Sequence, residues 1–370
     1  MHVGLNLVFL VPGETGGMEI AARELIPALR SAAPAVRFTA FVNREAAQED
    51  LGAEAVVVPV RATNRIEWVR GEQTLLPRLA RRAGCDIMHS LGSTAPLRGR
   101  FVRVTTIHDL NYLLVPDAHF GLRGIGMRAI VPLAARRSRR LLTDSANTRD
   151  DLVSRLRVPA EKIDVVPLGL GRAARAGATP AHELRERLSL EDRPVLLTLS
   201  AKRPHKNLAG LLDALALIAP ERRPVAVLPG YATPHEQELR ERARALGVDA
   251  DVRFLGWTPD ADVEGLFALA DCFVFPSFYE GFGLPVLEAM ARGVPVACSD
   301  RSSLPEVAGE AALLFDPADA RSIATAVERL LDDGELAARL VAAGRRRAAE
   351  FNWARSAELT LAAYERAVRA

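Results

Sequence analysis

Residues 272–291 read CFVFPSFYEGFGLPVLEAMA. Cys272–Phe275 is a short, wholly apolar run, as expected of a strand inside a parallel sheet covered on both faces. Gly281 and Gly283 let the backbone approach a ligand closely. Pro285 suits the first turn of the helix that follows. The segment is thus one strand–loop–helix unit whose helix turns its free amides and positive dipole end toward an anion such as a diphosphate.

The same rhythm extends in both directions. Further candidate strands of the second half are Val195–Leu199, Val225–Leu228, Val252–Leu255 and Val294–Ala297. Helical patterns at Leu208–Ile218, Glu236–Leu246, Ala261–Leu269 and Leu284–Ala291 lie among them, and helices near Arg321–Asp332, Glu335–Glu350 and Ala354–Val368 close the chain. In the first half the candidate strands are Val3–Val11, Arg37–Phe41, Ala55–Val60, Asp86–His89, Val102–Ile107, Arg140–Thr143 and Ile163–Val166. Helical patterns at Met18–Arg30, Glu72–Arg82 and Thr148–Arg157 separate some of them. Alternating strands and helices with apolar strands predict an α/β protein with doubly wound sheets. GLGRAARAGATP at Gly169–Pro180 breaks the periodicity. The expected domains are therefore 1–168 and 185–351, joined by a linker at 169–184. Two such domains face one another across a central cleft lined by strand ends, where open α/β sheets bind ligands.

The chain has 370 residues, enough for about two domains each with its own core. Its net charge of +2 from 48 basic and 46 acidic residues carries no broad basic field for nucleic acid. Cys85, Cys272 and Cys298 are few, far apart and in apolar surroundings, so they read as buried free thiols of a cytoplasmic protein. The opening MHVGLNLVFLV reads as a core strand rather than a signal peptide.

Glu280 lies in the glycine loop and Glu288 about one turn into the helix. Three readings of the pair stand: glycosidase carboxyls, a cap plus a solvated residue, or two hydrogen-bond acceptors for separate diols. A helical span of eight residues is about 12 Å, wider than the roughly 5 to 9.5 Å of glycosidase pairs. Carboxylates that far apart suit a sugar and a ribose better. LSAKRPHKNL, at Leu199–Leu208, leads from a strand into a helix, and a lysine there can neutralise a departing diphosphate.

EGFGLPVLE resembles the E-x7-E signature of the retaining GT-B glycosyltransferases, in particular glycosyltransferase family 4. The resemblance implies that Glu280 contacts the transferred sugar and Glu288 the ribose, with the amides around Gly281, Phe282, Gly283 and Leu284 on sugar or phosphate oxygens. It matches Lys206 to the family's diphosphate lysine, beside Ser200. The family's usual preceding arginine is missing at Ala201, so Lys202 or Arg203 is the second cation. LPGY, with Gly230 and Tyr231, and FLGW, with Leu255 and Gly256, match turns near the nucleotide. In the first half, Gly16 and Gly17 of PGETGGME match a loop beside phosphate and acceptor. His108, with Asp109 as a further candidate, matches a position near the transferred sugar; a strand-end histidine can equally be structural.

The resemblance implies a nucleotide-sugar donor, a glycan, glycolipid or small-molecule hydroxyl acceptor, retention of configuration, and neither cofactor nor metal. It alone implies that the terminal helix 352–370 crosses back onto the first domain. DxD look-alikes at Asp249/Asp251 and Asp260/Asp262 follow no apolar strand. A GT-B phosphorylase or sucrose-type synthase, and an inactive sugar-nucleotide-binding subunit, are the rival readings. Basic segment 121–140, with Arg123, Arg128, Arg136, Arg137, Arg139 and Arg140, reads as a solvated helix face or as a peripheral contact with an anionic membrane.

Overall fold

The computed structural model describes residues 1–115, 122–171 and 177–369. It divides into two compact units, Met1–Gly171 with Phe351–Ala370, and Arg172–Glu350. Gly121 of the basic segment and residues 172–176 of the expected linker lie outside the described residues, and the side chain of Arg123 is not described.

The first unit holds a seven-stranded parallel sheet. Its strands are β1 (His2–Leu7), β2 (Arg37–Val42), β3 (Glu54–Val57), β4 (Ile87–Ser90), β5 (Val102–Thr106), β6 (Arg140–Thr143) and β7 (Ile163–Val165). They lie in the order β3-β2-β1-β4-β5-β6-β7. β1 is buried along its whole length, because helices cover both faces of a central parallel strand. β3, at the edge, is mostly exposed. The terminal helix Trp353–Arg369 packs in this unit against helix Gly17–Ala32. Gly169 permits that return: a Cβ there would stand 2.4 Å from the backbone nitrogen of Trp353.

The second unit holds β8 (Val195–Leu197), β9 (Val225–Leu228), β10 (Val252–Phe254), β11 (Cys272–Phe275), β12 (Val296–Ser299) and β13 (Leu313–Phe315), ordered β10-β9-β8-β11-β12-β13. β13 is absent from the sequence expectation. It has three residues, lies at the edge and leaves Leu314 44% exposed, so no apolar run marks it. Residues 181–184, expected in the linker, open helix Ala181–Arg187, whose Leu184 is fully buried. That helix packs on helix Asp260–Leu269, so the chain has already entered the second unit there.

Both sheets reverse direction beside their first strand, between β1 and β4 and between β8 and β11. At such a switch point the following loops diverge to opposite faces and leave a crevice at the strand ends. The loops after β8 and β11 are the two that carry Lys206 and Glu280.

Among the described residues no helix is long and apolar enough to cross a membrane. All three cysteines are free and buried.

Candidate functional site

In the second unit, the chain leaves β8 through a loop that ends in a 3-10 turn, Pro204–Lys206, and then Asn207. Asn207 adopts a left-handed φ of 53° and caps helix Leu208–Leu217 by accepting from the Gly210 amide. Its side-chain amide donates to the carbonyls of Pro276 at 3.1 Å and Pro317 at 2.7 Å. The lysine just before it is thereby fixed against the loop after β11. Lys206 Nζ donates to both oxygens of Glu280, at 2.7 and 2.9 Å, and lies 5.7 Å from the centre of the Phe275 ring.

Glu280 is held from below. Its amide donates to Ser302 Oγ at 2.8 Å, and its carbonyl accepts from the hydroxyls of Ser302 and Ser303. Ser303 also donates to the Phe282 carbonyl at 2.6 Å. Gly283 then takes φ 118°, where a Cβ would press on Leu304 at 2.7 Å. Helix Leu284–Ala291 starts there without a side-chain cap; Pro285 has no amide proton and the Val286 amide donates to the Gly283 carbonyl, so what the helix turns toward an anion is its positive dipole end. Glu288, one turn in, is desolvated, which raises its carboxyl above the ordinary range, while Arg292 opposes the shift. Arg292 itself is bound to Glu264.

Lys202 takes a different role from the one expected. Its side chain is fully buried, and its ammonium donates to the carbonyls of Gly230, at 2.5 Å, and Leu255. Burial lowers its pKa to about 8. Lys202 is therefore a tie between the turns after β9 and β10, its ammonium spent on their carbonyls, whereas Arg203 in the same loop is exposed. Backbone bonds complete the stitching, from Ser200 to Pro229 and from Gly230 to Gly256. At Gly230 a Cβ would stand 2.1 Å from the Ser200 carbonyl. Tyr231 and Trp257, partly exposed, pair their rings 5.1 Å apart above these turns. The hydroxyls of Thr198, Ser200 and Ser277, at the ends of β8 and β11, are buried with no hydrogen-bond partner among the described residues.

In the first unit, Gly16 (φ 62°) and Gly17 stand exposed at the start of helix Gly17–Ala32, again without a side-chain cap. His108, after β5, spans its two neighbouring strand ends. Nδ1 donates to Asp144 Oδ2 at 2.7 Å, after β6, and Nε2 to the Leu91 carbonyl at 2.8 Å, after β4. Both partners are acceptors, so both ring nitrogens carry protons. Burial alone would lower its pKa, but the charge and hydrogen bond of Asp144, helped by the Leu91 carbonyl, raise it to about 9. His108 is thus a cation at neutral pH and not a free base. Asp109 accepts from the amide and side chain of Asn111, the residue that opens helix Asn111–Leu114.

The family model described as Glycosyl transferases group 1 matches residues 181–347, and that described as Glycosyltransferase Family 4 matches residues 15–171. O-antigen chain mannosyltransferase B of Escherichia coli is 34% identical over 267 residues, 71% of this chain and 70% of that protein. The chain belongs to glycosyltransferase family 4. This family 4 glycosyltransferase is also 31% identical over 290 residues to the GDP-mannose-dependent alpha-(1-6)-phosphatidylinositol monomannoside mannosyltransferase of Mycolicibacterium smegmatis, 75% of this chain and 69% of that protein. The solved structure of Anabaena HepE in complex with UDP and glucose shares its fold, with TM-score 0.77 at 21% identity and 99% of each chain covered.

Several supports of this glycosyltransferase site escaped the sequence reading. Ser302 and Ser303, more than 20 residues beyond Glu280, leave no motif because serines are common in turns. Asp144 was visible as an acid directly after β6. The two DxD look-alikes are bound by basic side chains: Asp251 by Arg193 and Arg223, Asp262 by Arg187.

Proposed function

We propose that this enzyme moves a hexosyl group, mannosyl in the first instance, from a nucleoside diphosphate sugar to a hydroxyl acceptor with retention of configuration. The Lys206–Glu280 contact at the start of helix Leu284–Ala291 carries the reading. It sets a cation for the diphosphate beside a carboxylate for sugar hydroxyls, in front of the positive dipole end of that helix. Names of relatives point to mannose, and one relative is named for GDP-mannose.

No nucleophile is assigned to the far face of the sugar, so a front-face route fits best. The bond from C1 to the diphosphate oxygen breaks, the acceptor oxygen bonds C1 on the same face, and its proton passes to the leaving diphosphate. Lys206, Arg203 and the positive end of the helix dipole stabilise the charge that grows there, a role that needs no metal ion. His108, as a buried cation, adds positive potential at its strand end without moving a proton.

A thermal-shift screen of GDP, UDP, ADP and their sugars identifies the donor, because a ligand that binds only the folded state raises Tm. With GDP-mannose and methyl α-mannoside as first probes, product anomers read by NMR test retention, and an inverted product overturns it. EDTA should leave transfer unchanged. Turnover with inorganic phosphate but with no sugar nucleotide would favour a phosphorylase; donor binding without transfer across an acceptor panel would favour an inactive subunit.

We place the reaction in the cytoplasm, with peripheral contact to an anionic membrane carried by Arg128, Arg136, Arg137 and Arg139, all exposed. Arg140 is excluded from that surface because it pairs with Asp164 inside the sheet edge. Flotation with anionic vesicles should be lost when Arg136, Arg137 and Arg139 are changed to Glu; a wild type that stays in solution overturns the contact.

A further inference from the structure

One helical run, Arg65–Ala83, is α-helical at Arg65–Arg70 and Leu76–Ala83 but π-helical at Gly71–Leu75. A π turn holds one residue more than an α turn and rotates the residues in it to a new face. Gly71 fits it against the segment after β3, where a Cβ would meet Val60 at 2.6 Å. The rotation carries Glu72 inward, to 3% exposure, at the switch point between β1 and β4. Burying a carboxylate is costly unless donors surround it. Here Oε1 accepts from Asn6 Nδ2 at 2.9 Å and Thr94 Oγ1 at 2.7 Å, and Oε2 from Gln73 Nε2 at 3.0 Å.

Those donors belong to the walls of the crevice. Asn6, near the end of β1, also donates to Ser90 Oγ at the end of β4. Gln73 donates to the Ala95 carbonyl and accepts from the Leu97 amide, each at 3.0 Å. Glu72 and Gln73 together hold residues 94–97 of the loop after β4. The other end of that loop is the Leu91 carbonyl on His108 Nε2. Between the two ends Ser93 sits at φ 64° with its amide on the Thr106 carbonyl, a left-handed conformation that a serine adopts only when its surroundings impose it.

We propose that Glu72 is a positioning residue for sugar transfer, holding the loop after β4 through Thr94 so that the Leu91 carbonyl stays on His108. This rests on the reading of His108 as a site cation. The ionisable groups facing His108 are Asp144, Asp109 and His89. Glu72 acts on it through the loop backbone alone.

The test follows the His108 imidazole by NMR titration in the full chain, with turnover of GDP-mannose and methyl α-mannoside alongside. In Glu72→Ala the Leu91 bond loosens, so the His108 titration should move down from about 9, and kcat should fall on the order of tenfold or more with donor KM little changed. Glu72→Gln keeps an oxygen for Asn6 and Thr94 and should recover most of both. An unmoved His108 titration in Glu72→Ala overturns the proposal whatever the activity. Should Glu72→Ala fail to fold, Thr94→Val removes only the link to the loop, and its His108 titration decides in the same way. His108→Ala separates the two claims: normal turnover there removes the His108 reading, whereas impaired turnover there with normal turnover in Glu72→Ala removes only the role of Glu72.

Discussion

His108 and Lys202 are buried cations with opposite consequences for pH. The folded pKa of His108, about 9, lies above the ordinary histidine value of 6.5. The folded state therefore binds more protons across that window, and the stability His108 contributes is complete below 6.5 and lost as pH rises through 9. Lys202 falls from 10.5 to about 8, so the folded state binds fewer protons there and stability rises with pH between 8 and 10.5. Urea midpoints across pH 6 to 10.5 should show the decline missing in His108→Gln and the rise missing in Lys202→Met. At the site itself, Glu280→Ala or Lys206→Ala should lower transfer by orders of magnitude while Tm stays within a few degrees. Near-normal transfer by both would sink the assignment. Glu280, Glu288 and Lys206 could be singled out as candidates because each sits at a fixed spacing inside a short contiguous segment. The role of Lys202 was not, since a basic loop reads the same whether its lysine faces solvent or turns inward to carbonyls 28 and 53 residues away.

Elements place these groups, and glycines set where the elements can go. Gly283→Ala meets both a positive φ and Leu304, and Gly230→Ala meets the Ser200 backbone. Each should cost about 1–3 kcal/mol and weaken nucleotide binding more than overall stability suggests, because the strain falls in the loops that would touch the ligand. Nucleotide titration calorimetry on both variants checks this; unchanged affinity would mean that the loops tolerate the shift. The strand–helix units were readable wherever the apolar run was central and long. β13 and the π turn at Gly71–Leu75 were not. A three-residue edge strand needs little apolar sequence, and a π turn is selected by packing against Val60 and by donors from β1 and the loop after β4.

On the scale of the whole molecule, the last helix belongs to the first unit although it follows the second in sequence. Tyr364 is buried there with its hydroxyl 2.7 Å from His89 Nδ1, and His89 Nε2 meets Thr106 Oγ1 at 2.8 Å. Burial, with the charge of His108, pushes the His89 pKa down to about 3, so the ring is neutral. Truncation after Glu350 should expose the sheet of the first unit while residues 177–350 keep their protection from hydrogen exchange. Equal loss of protection in both units would contradict the division. The sequence by itself determined the α/β class, the strand-and-helix order and the donor-side signature, because periodicity and contiguous motifs are properties of neighbours along the chain. Only the tertiary structure decided that Lys202 is a tie, that His108 is held as a cation between Leu91 and Asp144, and that Glu72 turns inward. Those outcomes depend on which distant carbonyls and carboxylates folding brings within about 3 Å, where burial makes each unpaired charge too costly to leave.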